Sequence, residues 1–473
     1  MAYRENSVAS KSAEKCTFSS WFATAALVLL VASCAMTSVA QQSVGRAAAD
    51  PQIAEAIRQV SADRVQHTIE KLVSFQNRST ISAQDEESIK AGKGVGAARE
   101  WIKSEFERYS KDCGGCLEVK TDSFTEPTAD RIPKPTVITN VYAVLHGADP
   151  AQASRIVLVT GHYDSRNSDT FNITDAAPGA NDDGSGTAVS LECARVLSKY
   201  KFPVTIIFLT VAGEEQGLNG SKHFAQMAKQ QGWKLEAVLN NDIVGGDRNS
   251  GQDFKVVRVF SEGLPAAATE AEIRRIRGLG GESDSPSREL ARYVSDVGRS
   301  FDTGLSPLLV FRLDRFLRGG DHYSFNQQGF SAVRFTEFRE EFNHQHQNVR
   351  TENGIEYGDL PKFVNFDYIA NVARLNAATL ASIASSPAPP GNVKVLTKNL
   401  ENDTALTWDA AAGATAYEVV WRATSAPDWE HVQTISTGTR ATLKVSKDNE
   451  IFAVRAVDGA GHRSLPVVPE PER

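Results

Sequence analysis

The sequence predicts an α/β fold, a mainly parallel sheet with helices on both faces, followed by a small C-terminal all-β sandwich. Three observations predict it. Strand-length apolar runs alternate with helical patterns over most of the chain, as in "RIVLVTGHYD" and "PVTIIFLTVAG". The runs are apolar at successive rather than alternate positions, which suits strands buried on both faces. Beyond the proline-rich "SSPAPPGN" at residues 385–392 the helical patterns stop, and short strands separated by polar turns take over.

Residues 50–75 place Ile53, Ile57, Val60, Ile69, Leu72 and Val73 at helical spacing behind an Asp-Pro start, and a second helix follows near 95–109. "CLEVKTDSF", "TNVYAVLHG" and "RIVLVTGHYD" read as strands. Next come a helix at 185–199, the strand "PVTIIFLTVAG", a helix around "SKHFAQMAKQQ" and the strand "EAVLNNDIVG". "FKVVRVF", a helix near 286–300, a helix start at "DHYSF", the strand "SAVRFTE" and a helix over 363–384 complete this part. Pro387, Pro389 and Pro390 cannot continue that helix, so 385–392 reads as a linker between a unit at 41–384 and a sandwich at 393–473. In the sandwich, alternation puts Tyr417, Val419 and Trp421 on one face, and Phe452, Val454 and Ala456 on another.

A chain of 473 residues is too long for one ordinary domain. Its net charge of −7 offers no basic face to a phosphate backbone or an anionic bilayer, so no nucleic-acid partner is expected. Lys11 and Lys15, the apolar "FATAALVLLVASCAM" and the "SVA" before Gln41 read as an export signal over 1–40, cleaved after Ala40. The mature chain is then periplasmic or extracellular, with no transmembrane span. "VASC", ending at Cys34, resembles a lipidation signal and gives the rival reading of an anchored protein. Of five cysteines, Cys113 and Cys116 are expected to pair in an oxidising compartment, and Cys193 to be an inert core thiol.

Ligands of an open parallel sheet sit beyond the carboxyl ends of its strands. The strand ending at Thr160 delivers His162 and Asp164 there, the strand ending near Val211 delivers Glu214 and Glu215, and the strand ending near Asn241 delivers Asp242. "GANDDGSGTA" adds Asp182 and Asp183 at a helix start, and "SAVRFTE" is followed by His344 and His346 in "FNHQHQ". Singly, such residues are turn formers, helix caps and surface groups. Together, acids at one sheet edge repel unless a cation sits among them. Oxygen ligands mixed with imidazole suit zinc, with manganese or cobalt as alternatives, and the donors are too many for one tetrahedral ion. Two ions sharing a bridging carboxylate are expected.

The order "GHYDS", "GANDDGSGTA", "AGEEQGLNGS", "NNDIVG", "GGDHYSF", then a late histidine, resembles the co-catalytic di-zinc aminopeptidase family. That family comprises bacterial leucyl aminopeptidase and aminopeptidase Y-like zinc exopeptidases, with glutamate carboxypeptidase and glutaminyl cyclase as relatives. The resemblance covers residues 50–384 and implies a phosphorylase/hydrolase-like sheet. It implies His162 and Asp242 on one zinc, Glu215 and a late histidine on the other, and Asp182 bridging both. Glu214 is implied as the general base. "HQNVRT" matches the family pattern from His346, while His344 stays open as the alternative ligand. Asp164 is expected to accept the other ring N–H of His162 and fix its tautomer. Asp321 is expected to orient the late histidine, and His322 to pack. Residues 245–318 are expected to form a rim or lid.

The resemblance implies an exported zinc-dependent aminopeptidase acting on peptides. Carboxypeptidase, dipeptidase or glutaminyl cyclase action on the same fold are rivals, as is an inert adhesion protein. The C-terminal part is similar to a fibronectin type III domain through Trp408, "YEVVWR" and "AVDGAGHRS", with Phe452 where that family usually has a tyrosine. Such a module is expected to contact a surface or polymer.

Overall fold

Eight strands form the central sheet, in the spatial order Leu117–Glu126, Thr136–Leu145, Thr205–Val211, Arg155–His162, Lys234–Asn241, Ala332–Glu337, Val256–Ser261 and Ser306–Val310. The computed structural model describes residues 42–43, 49–248 and 251–472; the export signal expected over 1–40 lies outside them. The middle four strands run parallel, as expected of near-continuous apolar runs. Antiparallel pairs join the margins to this centre, although the edge strand Ser306–Val310 runs parallel to Val256–Ser261. Leu117–Glu126 and Thr136–Leu145 are joined by a loop without a crossover helix, so their directions must oppose.

Thr205–Val211 is buried at every position, and Arg155–His162 at every position but Ile156. Successive residues serve opposite faces. Val157, Val159, Ile206 and Phe208 join the core under the helices Gly184–Leu197 and Phe366–Ser385, whereas Leu158, Ile207 and Leu209 meet Phe224 and Phe325 of Asn219–Gln230 and Asp321–Gln327 on the other face. Gly161 and Gly186 let the first of these helices start against the strand ends. A Cβ on Gly161 would lie 2.4 Å from the Gly186 carbonyl carbon, and one on Gly186 would lie 2.1 Å from the Asn241 carbonyl oxygen. The "NDDG" loop is thereby pressed onto the sheet edge.

Several elements differ from expectation. Residues 50–75 form two helices, Pro51–Arg58 and Ala62–Ser74, because Ser61 caps the second through the Arg64 amide. The helix Glu270–Leu279, within the expected rim, sets Ile273, Ile276 and Leu279 at helical spacing yet buries no residue. It is defined by a Thr269/Glu272 capping box and by Gly280 in the left-handed conformation. The short hairpin Arg350–Glu352 and Ile355–Tyr357 is likewise exposed. Cys113 and Cys116 form the expected disulfide, and Cys193 is buried and free. No described helix is long and apolar enough to cross a membrane.

The C-terminal strands pack as two four-stranded sheets around Trp408, Tyr417, Trp421, Phe452 and Val454. One edge strand of this sandwich, Gln42–Ser43, comes from the other end of the chain and pairs with His431–Ile435. The sandwich is docked, not tethered. Arg422 pairs with Asp284, Arg292 donates to the Pro427 carbonyl at 2.7 Å and stacks on Trp429, and the Tyr293 hydroxyl donates to the Arg463 carbonyl at 3.0 Å. The stretch expected to be a linker is held as well: Arg155 donates to the Ser386 carbonyl at 2.8 Å, and the Ala388 amide to the Ala412 carbonyl at 3.1 Å.

Asp284 is the carboxylate paired with the buried Arg422, whereas Arg292 is paired with Glu289, so Asp284→Ala leaves the buried Arg422 guanidinium without its ion-pair partner. Loss of a buried partner costs about 3–5 kcal/mol, and a urea denaturation curve of the full chain is expected to show a loss of that order. His462 lies 2.8 Å from both Asp50, the cap of the first helix, and Asp458. Burial pulls its pKa down, but the two carboxylates outweigh burial and hold it above the ordinary histidine value. A pKa raised by folding stabilises fully below the unfolded value, and the contribution fades as pH climbs through the folded one. The gap in melting temperature between wild type and His462→Ala is expected to be widest below about pH 6.5 and to narrow above it.

Candidate metal centre

His162 closes its strand with its side chain inside the protein, and the chain then turns through Tyr163 to Asp164, also wholly buried. The Asp164 carbonyl lies 3.1 Å from His162 Nδ1 and its carboxylate Oδ1 lies 3.4 Å away. Asp164 thus stands behind the imidazole as expected, but through its backbone oxygen at the shorter distance. Its Oδ2 accepts from the Thr80 hydroxyl at 2.8 Å and from the Glu215 amide at 3.2 Å, tying the two strand-end loops together.

The neighbouring strand leaves the sheet through Gly213, at φ 82°, into Glu214 and Glu215. Asp182 and Asp183, joined by a cis peptide bond, divide their work. Asp183 caps the helix Gly184–Leu197 by accepting from the Gly186 amide at 2.8 Å, and it accepts from the His162 amide at 3.0 Å. Asp182 points between two histidines: Oδ1 lies 3.1 Å from His162 Nε2, and Oδ2 lies 2.8 Å from His346 Nε2. Its backbone amide donates to Asp359 at 2.7 Å and its Oδ2 accepts from Gln345 Nε2 at 3.0 Å, which fixes that orientation.

Two triads result, His162 with Glu214 and Asp242, and Asp182 with Glu215 and His346, each with ligand atoms within 4.8 Å of one another. His346 Nε2 lies 3.1 Å from Glu215 Oε1. His344 stays outside: its Nδ1 lies 2.5 Å from Asp247 Oδ2 and its ring stacks on Phe363 at 3.7 Å. His322 packs, with Nε2 bonded to the Leu313 carbonyl at 2.9 Å and its pKa pushed down to about 4 by burial. The group facing His346 Nδ1 is Arg166, at 2.6 Å, rather than Asp321. Asp321 is wholly buried, and burial pushes its pKa up to about 7.

The residues that sequence reasoning missed are mostly arginines. Arg334, wholly buried in "SAVRFTE", lies 2.9 Å from Asp242 Oδ1 and 3.1 Å from Asp314 Oδ2. Arg166 donates Nε to Glu215 Oε2 at 2.8 Å. Each triad carboxylate bound by a guanidinium therefore keeps one oxygen for the interior. Arg78, also wholly buried, donates to the carbonyls of Leu72, Tyr163, Pro178 and Gly179, and clamps both acidic loops. Burial lowers its pKa to about 10 against the pull of Asp359 and Asp164. A charged residue set between the apolar Val333 and Phe335 was the one signal for Arg334; nothing local marks Arg78.

Electrostatics favour a cation. Burial pushes Glu214 well above the usual carboxylate range, with Asp242 and Glu215 adding to the effect, and it raises Asp242 in spite of Arg334. Burial would also raise Asp182, but His346 and His162 outweigh it and hold that carboxylate well below the range. His162 Nε2, His346 Nε2 and Glu215 Oε1 are buried with no hydrogen-bond partner among the described residues. Inward-facing lone-pair donors of this kind, two imidazoles and several carboxylates, fit zinc.

Residues 140–365 match the model of Peptidase family M28. A probable zinc metalloprotease of Pyrenophora teres f. teres is 44% identical over 429 residues, covering 89% of this chain and 87% of that one. A probable zinc metalloprotease of Leptosphaeria maculans is 44% identical over 431 residues, covering 90% of this chain and 98% of its own. Among solved structures, the LapA aminopeptidase of Legionella pneumophila is 20% identical with a TM-score of 0.49, covering 73% of this chain and 78% of that one. A likeness of that degree carries no inference about the reaction.

The contrast between the two late histidines gives a direct test. Zinc bound per chain, measured by atomic absorption after dialysis, is expected to fall in His346→Ala and to stay at the wild-type level in His344→Ala.

Proposed function

Because this chain belongs to peptidase family M28 and is a zinc metalloprotease, we propose that it is an exported aminopeptidase that holds two zinc ions and removes N-terminal residues from peptides. The observation that carries the two-ion reading is Asp182, with one carboxylate oxygen at each histidine. In this reading His162 and Asp242 would hold one ion, and Glu215 and His346 the other, with Asp182 within reach of both and Glu214 left for the proton. Zinc bound there supplies Lewis-acid polarisation of the scissile carbonyl and lowers the pKa of a water.

The chain's own residues supply the rest. Glu214 makes no side-chain hydrogen bond among the described residues and retains partial exposure, so its carboxylate is free to take a proton from the attacking water and hand it to the leaving amine. Burial and neighbouring acids raise its proton affinity, which suits that role. Asp164 holds His162 through Nδ1, and its bond to the Glu215 amide keeps the adjacent Glu214 in register. The short connection from His162 to Asp182, with no inserted domain, supports action on peptide N-termini. The Cys113–Cys116 disulfide supports export. The buried Trp408 and the two-sheet packing support a fibronectin type III-like sandwich.

Hydrolysis of aminoacyl amides and free-amine peptides, abolished by chelator and absent on N-acetylated peptides, is the expected outcome of a substrate panel. Preference for blocked N-termini or for C-terminal residues would overturn the aminopeptidase reading. Glu214→Gln is expected to lower kcat by about 10²–10⁴-fold with bound zinc unchanged, checked by steady-state kinetics alongside metal analysis.

A further inference from the structure

The two triads differ in what stands behind the histidine. His162 Nδ1 faces the carbonyl and carboxylate of Asp164, acceptors that suit a ring proton on Nδ1 and leave Nε2, 3.1 Å from Asp182 Oδ1, for a cation. His346 Nδ1 faces a donor, Arg166 Nη2, at 2.6 Å. Two donors cannot face each other across that gap, so a ring that keeps Nε2 for a cation, with its proton on Nδ1, cannot keep the Arg166 contact; Nε2 lies 2.8 Å from Asp182 Oδ2 and 3.1 Å from Glu215 Oε1. That nitrogen is the one whose lone pair a cation needs. Arg166 also sets its positive charge against Glu215 Oε2 at 2.8 Å.

Resting on the reading of the triads as zinc sites, we propose that Arg166 guards the Asp182–Glu215–His346 triad. The two sites then load in order, the His162 side first, and Arg166 releases His346 Nδ1 when the second zinc enters. Arg334, the arginine of the other triad, is no such guard. It is shared between Asp242 and Asp314, is wholly buried, and stands on Asp242 while His162 keeps its Asp164 partner. Arg166 is 18% exposed, on the loop after the strand, and so has a way out.

Equilibrium zinc titration of the metal-free full-length chain against a competing chromogenic chelator tests this. Wild type is expected to show one tight and one weaker zinc, separated by at least about tenfold. Arg166→Gln, which removes the charge, is expected to tighten the weaker step alone, and Arg166→Lys to lie between. His346→Ala should abolish the weaker step and keep the tight one.

An unchanged second step in Arg166→Gln would overturn the guard. So would a second step weakened by the roughly 10–100-fold that loss of a supporting partner produces. Either result would leave the two-zinc reading standing. Failure of wild type to bind zinc at all would overturn that reading and the guard with it. Should Arg166→Gln not fold, a crystal structure of the zinc-loaded wild type decides. Arg166 Nη2 turned away from His346 Nδ1 supports the guard, and Arg166 still bonded there with both ions present overturns it.

Discussion

One carboxylate, that of Asp182, lies between two imidazoles, and the fold around it is arranged to hold it there. Its own amide is taken by Asp359, its neighbour Asp183 is spent on a helix cap, and Arg78 ties the flanking loop to the strand end. None of these contacts is made by a group that would touch a substrate. They explain why the acidic loop, which in isolation would be a solvated turn, is buried at the sheet edge instead. A carboxylate so fixed can face two directions at once, and the spacing of the two histidines follows from it.

Crowding acids out of water is costly, and these three arginines do not cancel the cost. Arg78 bonds to carbonyls, Arg334 is divided between two acids, and Arg166 covers one oxygen of Glu215. Burial and mutual repulsion leave Glu214, Asp183 and Asp242 with raised proton affinity. A divalent ion would relieve this more effectively than protonation, because it would satisfy several lone pairs together. Stability and activity are therefore coupled through the same charges, and metal bound by the folded chain alone adds to folding free energy.

Much of the site was legible because its residues follow strands. The rule that ligands collect beyond strand carboxyl ends placed His162, Asp164, Glu214, Glu215 and Asp242 together, and the "NDDG" helix start joined them through the parallel crossover. The two aspartates of that start realised both readings of such a stretch, one as a cap and one between the histidines. The resemblance favoured His346 over His344, but the Asp247 and Phe363 contacts that hold His344 aside left no local spacing to read. Arg78 and Asp359 were invisible for the same reason. The helix Glu270–Leu279 was missed because its apolar pattern is short and set among arginines and glutamates, with the Thr269/Glu272 capping box as its clearer mark. The docked sandwich ran against its proline-rich approach, since composition marks a break in helix but says nothing of whether the segment is held by neighbours.

Gly186 draws these threads together. The first turn of the Gly184–Leu197 helix passes so close to the Asn241 carbonyl that even an alanine there would collide with backbone. Alanine would have to lift the helix, and with it the acidic loop that precedes it, away from the strands that carry His162 and Asp242. The distance between the two halves of the centre is thus dictated by an absent methyl group, at a residue that contributes no donor atom to it.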